Sequence, residues 1–202
     1  VNMRIYCAAL TLDGQRLIAG FSDGCARMFD VESSALLAVY RGHTDCVWKV
    51  APTPDGKHLV TCSFDGTARL YELNTARHLR TYRGRGGAVR CIALTRDGSI
   101  LFASGDCPEI LAWDLISGEE RVALEGHLKT VESLIVSPGG ELLLSGSCDS
   151  TAKLWHIRSG LCLQTFEGHT GSVWAVCMNG DGTRIYTGSA DRTARMLSLI
   201  HI

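Results

Sequence analysis

His127, Ser145 and Asp149 have the residue types that nucleophilic catalysis uses, and Trp155 follows them. A histidine can take the proton of a serine hydroxyl while a carboxylate orients the imidazole. That chemistry also needs a hydroxyl open to substrate and an oxyanion hole, and it occurs once per active site. Here the set recurs at constant offsets. His43, Thr61, Asp65 and Tyr71 form one copy, and His169, Thr187, Asp191 and Leu197 another. Poorer copies are Val1, Ala19, Asp23 and Phe29, then Arg85, Ala103, Cys107 and Trp113. A constellation repeated along the chain with members missing is structural in purpose. The expectation is therefore no catalytic residue and no enzymatic activity.

Other chemistries are excluded by composition and spacing. Nine cysteines fall at positions 7, 25, 46, 62, 91, 107, 148, 162 and 177, never as a Cys-x-x-Cys pair. Zinc sites use closely spaced ligand pairs, and secreted scaffolds use even cysteine counts. These cysteines read as small buried apolar residues in a reducing compartment, the cytoplasm or the nucleus. No metal-ligand cluster, phosphate-binding glycine loop or pair of opposed carboxylates stands out, so no cofactor is expected. The 202 residues carry a formal net charge of -1, which draws the chain neither to nucleic acid nor to an acidic membrane. No apolar run approaches the roughly 18 residues of a membrane span. The first residues lack the pattern of a secretory signal, and a start at Val1 rather than Met points to a gene start upstream.

The elements that position these residues follow from an internal repeat. Gly42-His43 and Gly126-His127 lie 84 residues apart, and Gly168-His169 lies another 42 residues on. The same period aligns Asp13-Gly14, Asp55-Gly56, Asp97-Gly98, Gly139-Gly140 and Asp181-Gly182. It also aligns Phe29, Tyr71, Trp113, Trp155 and Leu197 with no insertion or deletion. Within the second copy, Val47 to Ala51, His58 to Cys62, Ala68 to Leu73 and Leu79 to Tyr82 are strand-like runs. Pro54-Asp55-Gly56 and Asp65-Gly66 between them are turns. Four short antiparallel strands per unit predict an all-β chain whose sheets stack on one another, as propeller blades do.

The order Gly-His, Ser or Thr, Asp, then Trp-Asp resembles the WD40 repeat. It is fullest in Gly126-His127, Ser145-Gly146-Ser147, Asp149 and Trp155, and Trp113-Asp114 is the dipeptide itself. The resemblance covers essentially the whole chain. It implies one WD40 β-propeller domain over residues 1–202, with units of about 1–42, 43–84, 85–126, 127–168 and 169–202. The last unit lacks its outer strand, so the expectation is an open arc or a fragment of a seven-bladed ring, four blades with four strands and one with three. It also implies that His127, Ser145, Asp149 and Trp155 form a structural hydrogen-bond chain running from Trp to Ser to His to Asp.

For function, the resemblance implies a protein-interaction scaffold or adaptor that binds other proteins or peptides on the loop face. The alternative is a regulatory module of a larger multidomain protein, such as a ubiquitin-ligase substrate receptor, with activity and further WD40 repeats or domains elsewhere in the full-length chain. The position beside that face carries Tyr6, Trp48, Arg90, Glu132 and Trp174. Arg4 two residues before it, and Phe64 and Asp106 before the repeat's structural acid, complete the candidate set. Aromatics and arginine dominate interface hot spots, although Trp48 and Trp174 are equally readable as packing residues. A second candidate is the outer strand, where Arg77, Arg80, Arg83 and Arg85 cluster. One period on, Glu119, Glu120 and Glu125 replace Arg77, His78 and Arg83. The strip reads as solvated charge that blocks edge pairing or as a site for an acidic partner. With Tyr82 its one stacking aromatic, it is a poor nucleic-acid surface. Trp155-His156-Ile157-Arg158 is similar to the Trp-Asp-x-Arg docking motif of cullin-type ligase receptors, with His156 in place of the acid.

Overall fold

Turn chemistry cuts this chain into strands of four to six residues. In the second repeat, Thr53 Oγ1 donates to Asp55 Oδ1 at 2.5 Å, and the same carboxylate accepts the Lys57 amide at 3.0 Å. The next residue must then turn through the left-handed region, which Gly56 does at φ 67°. Thr11 with Asp13 and Thr95 with Asp97 repeat the device. At the same end of the blades, in the turn after the third strand, Asp30 accepts the Ser33 amide and hydroxyl, and Asp114 does the same for Ser117.

The structure is a computed structural model describing residues 3–121 and 123–199. The chain divides into two compact units, one ending at Ile92 and the other starting at Ala93. In the first unit, β1 (Ile5–Leu10), β2 (Arg16–Phe21), β3 (Ala26–Asp30) and β4 (Leu36–Tyr40) make an antiparallel sheet in chain order. A second sheet contains β5 (Val47–Pro52), β6 (His58–Ser63), β7 (Thr67–Glu72) and β8 (His78–Arg83). The two pack face to face. Ile18, Ala26, Met28 and Tyr40 of the first sheet meet Val47, Val50, Leu59, Tyr71 and Leu73 of the second.

The division falls within β9 (Val89–Leu94), whose sheet continues through β10 (Ile100–Gly105) and β11 (Leu111–Asp114). This third sheet has three strands rather than the four expected. Its outer segment is held by isolated bridges from Trp113 to Glu120 and from Ile110 to Leu124, with Val122 outside the described residues. Glu119, Glu120 and Arg121 are weak strand formers, yet the Arg121 amide still donates to Ala112 at 2.8 Å. The fourth sheet is β12 (Val131–Val136), β13 (Leu142–Ser147), β14 (Ala152–His156) and β15 (Cys162–Phe166). The fifth, among the described residues, is β16 (Val173–Met178), β17 (Arg184–Ser189) and β18 (Ala194–Ser198). Leu144, Ala152 and Leu154 of the fourth sheet cover Val173, Val176 and Ile185 of the fifth. These are the same repeat positions that meet between the first two sheets.

Every strand pairing is antiparallel, and no helix occurs among the described residues. The first strand of each of four sheets carries an irregularity. Between Ile5 and Cys7, Val47 and Lys49, Val131 and Ser133, and Val173 and Ala175, the strand advances two residues while its partner advances one. The extra residue is a β-bulge.

Candidate functional site

The fourth sheet contains the hydrogen-bond chain that the WD40 resemblance implies. Trp155 on β14 donates Nε1–H to Ser145 Oγ on β13 at 2.8 Å. Ser145 Oγ lies 2.7 Å from His127 Nε2, and His127 Nδ1 lies 2.7 Å from Asp149 Oδ2. The indole can only donate and the carboxylate can only accept. A neutral imidazole with its proton on Nδ1 therefore satisfies every link, with the serine hydroxyl donating to Nε2. Asp149 further accepts the Leu128 amide at 3.0 Å and the Thr151 hydroxyl at 2.6 Å. The loop entering the sheet, the β13–β14 turn and the strands themselves are thereby tied together.

Burial sets the protonation states. It pushes His127 below its ordinary value against the opposing pull of Asp149, so the ring stays neutral. It also raises Asp149, but bonds from Thr151, the Leu128 amide and His127 outweigh that and bring the carboxyl to about 2. Ser145 is fully buried and its oxygen is occupied by the indole. A substrate has no approach to it, so the serine cannot act as a nucleophile.

Two other copies keep the centre of the chain and lose its start. His43 bonds Asp65 at 2.8 Å and Thr61 at 2.7 Å, while the Tyr71 hydroxyl turns away and donates to the Arg41 carbonyl. His169 bonds Asp191 at 2.7 Å and Thr187 at 2.8 Å, with Leu197 supplying no donor. In the first copy Val1 lies outside the described residues. Asp23 there is held by the Arg27 guanidinium, at 3.1 and 2.6 Å. In the third, where Ala103 and Cys107 supply neither hydroxyl nor acid, the Ser104 hydroxyl donates to the Glu109 carbonyl at 2.6 Å.

Among the partner candidates, the structure assembles four into a row within the first unit. Tyr6 and Trp48 have ring centroids 5.1 Å apart, and Trp48 stacks on Phe64 at 4.7 Å. The Arg90 guanidinium lies over the other end of the row, 5.1 Å from the Phe64 centroid. The bulges explain the placement. Tyr6 and Trp48 are each the extra residue of a first strand, and a bulge releases its side chain from the sheet's alternation. Tyr6 is exposed, and Trp48, Phe64 and Arg90 are half-buried. Trp48 thus stands between the rings of Tyr6 and Phe64 and keeps part of its surface exposed. The stacking of Trp48 on Phe64 was not legible at the 42-residue period, because the two stand 16 residues apart, on β5 and in the turn after β6.

The remaining candidates are dispersed. Arg4 is exposed, and its amide donates to Ser22 Oγ at 3.0 Å. Glu132 and Trp174 are bulge residues of the second unit. Glu132 Oε1 accepts from Cys148 Sγ at 3.5 Å, Trp174 is 60% exposed, and Asp106 is exposed in the turn after β10. On the outer strand, Arg77 pairs with Glu72 at 3.4 Å, so the basic strip is partly neutralised. His156 takes the place of the turn acid, with Nδ1 2.8 Å from Ser159 Oγ, and Arg158 is an exposed residue of that turn. Among the described residues no group of three or more His, Cys, Asp or Glu side chains is placed to hold a metal ion.

Comparison with known families agrees with this architecture. The model described as WD domain, G-beta repeat matches residues 34–72, 76–114, 118–156 and 160–197. Each match opens just before an outer strand and ends with the third strand of the following sheet, so β1 to β3 precede the first of them. A search of curated proteins finds no match. Repeats of this kind generally mediate protein–protein interaction. Four family matches spanning most of the sequence, on antiparallel sheets with the Trp–Ser–His–Asp chain in place, show that this chain belongs to the WD40 family.

Proposed function

We propose that the chain is a non-enzymatic scaffold or adaptor that holds a peptide or a protein domain on the row formed by Tyr6, Trp48, Phe64 and Arg90. The continuous aromatic stack with a guanidinium at one end carries this reading. Large rigid rings give contact area at little entropic cost, and a guanidinium over a ring face extends that surface with a cationic end. The burial of Ser145 supports the non-enzymatic part. Nine free thiols support residence in a reducing compartment, the cytoplasm or the nucleus.

The test is affinity capture with wild type, Trp48→Ala and Arg90→Ala. The expected result is that specific partners are depleted by both substitutions while folding, followed by thermal unfolding, is retained. Partners held unchanged by both variants would remove the row from function.

A further inference from the structure

Where neighbouring sheets meet at the turn between their first and second strands, the chain builds the same groove once in each unit and bridges only one of them. In the first unit a hollow of about 440 Å³ lies between the first two sheets, bordered by Thr11, Asp13 and Pro54. Arg16 Nη1 reaches across it and donates to Asn74 Oδ1 at 2.5 Å. Two repeat periods on, in the second unit, Ile100 stands in the place of Arg16 and Arg158 in the place of Asn74. Ile100 has no polar atom to offer, so no such bridge spans the second groove. In its place stand an apolar side chain and an exposed guanidinium.

That second groove runs between the third and fourth sheets as two joined hollows. The first, of about 340 Å³, is walled by the buried Phe102, Ala112 and Leu124. The other, of about 390 Å³, lies against the turns at Ser99 and Gly140. Ile100, Arg121, Ile157 and Arg158 border both, and so mark the junction. The two arginines are exposed there and the two isoleucines half-buried. Each volume lies within the roughly 300–1,000 Å³ of ligand-holding clefts.

The charges favour an acid at that junction. Glu120 borders only the first hollow and Glu141 only the second, whereas both arginines border both. Asp97 is engaged by its own turn, accepting from Thr95 Oγ1 at 2.6 Å and from the Ser99 amide at 3.0 Å. Arg96 is held at the turn end, where it donates to the Pro138 carbonyl at 3.1 Å. Arg121 lies 3.8 Å from Asp114, beyond good hydrogen-bond distance, and a guanidinium's five donors are not filled by that contact. A carboxylate at the junction would receive charge-assisted bonds beside two isoleucines, where partial exclusion of water strengthens them.

We infer that this groove binds an extended peptide segment of a partner protein. The segment sets an acidic side chain at Arg121 and Arg158 and an apolar side chain in the hollow walled by Phe102, Ala112 and Leu124. An elongated groove bordered by exposed residues suits an extended chain, whereas a small metabolite is enclosed over most of its surface. The groove shares no residue with the aromatic row of the first unit, so the two readings stand or fall independently.

Selection of a random phage-displayed peptide library on the 202-residue chain tests this, with enriched peptides synthesised and titrated by fluorescence anisotropy. The expected peptides pair an aspartate or glutamate with a nearby leucine, isoleucine, valine or phenylalanine. Arg121→Gln and Arg158→Asn should each weaken them at least about tenfold, through loss of one charge-assisted contact. Both side chains are exposed, so folding should survive, and thermal unfolding checks it. Ile100→Arg combined with Arg158→Asn rebuilds the pair that Arg16 and Asn74 form, and should abolish binding in a folded chain. Trp48→Ala should leave binding unchanged. A selection that enriches nothing, or enriches peptides without an acid, overturns the proposal. So do peptides held equally by wild type and both arginine variants. Peptides released by Trp48→Ala would sit on the aromatic row and overturn it too. Hexanoate, an apolar acid without a peptide backbone, should compete only at far higher concentration; competition at equal concentration would assign the groove to a small acid instead.

Discussion

The hydrogen-bond chain from Trp155 through Ser145 and His127 to Asp149 is completed by a neutral imidazole, and burial favours that form at His127 and His43. His127 and His43 are both lowered, in each case first by burial, with the neighbouring carboxylate pulling the other way. The unfolded chain therefore takes up protons at these rings near the ordinary value of 6.5 while the folded chain resists, and stability must fall as pH drops below that value. Asp149 acts in the same direction at lower pH. Its contribution is present above 3.8 and is lost as pH falls toward about 2. Urea unfolding at pH 7.5 and 5.5 is expected to show a lower midpoint at 5.5. Replacing His127 and His43 by Gln should flatten that difference. Asp149→Ala strands a buried imidazole and three further donors, and is expected to cost about 1–3 kcal/mol. Asp23→Ala breaks an ion pair that is partly open to solvent, worth under about 1 kcal/mol. Thermal melts of the two variants check the order. That Asp23 lacks a histidine was legible from the repeat. That Arg27 takes its place was not, since residue 27 belongs to no motif and only the strand geometry brings it back over the turn.

At the scale of the element, the bulge and the central glycine govern how sheets are used. The strands were legible to within about a residue: Val47 to Ala51 was expected and Val47–Pro52 is found. The bulge was present in the sequence but lay outside a simple alternation. Val47 and Val50, Val131 and Leu134, and Val173 and Val176 are buried three residues apart, where an unbroken strand would bury every second one. The face each strand presents was legible as a period, but which faces are covered was not, because coverage depends on neighbours a single repeat does not contain. Gly146→Ala is expected to cost about 1–3 kcal/mol, since its methyl would meet both Val176 and Val173 under 3.0 Å. Gly188→Ala, whose methyl would meet nothing nearer than Ala175 at 3.9 Å, should change folding stability by under about 0.5 kcal/mol. Denaturant unfolding of the two variants separates them.

For the whole molecule, the family assignment follows from five sheets and four family matches. The thiols give a way to watch the packing of those sheets. Cys62 is buried and its thiol is pushed well up by that burial, so it should resist alkylation until the chain unfolds. Cys162 and Cys177 are exposed and should react first. Mass spectrometry of the alkylated peptides reads the rates in one experiment, and labelling of Cys62 as fast as that of Cys162 in the folded chain would contradict this packing.

The bulge also separates what must stay constant from what can vary. A residue inserted outside the alternation contributes little to the stacked core, so its identity is nearly free of folding constraints. The five copies hold Tyr, Trp, Arg, Glu and Trp at that position while the framework around it keeps one register. Under the proposed scaffold role each repeat contributes one letter to a surface alphabet, and changing letters should change the recipient without disturbing the page on which they stand.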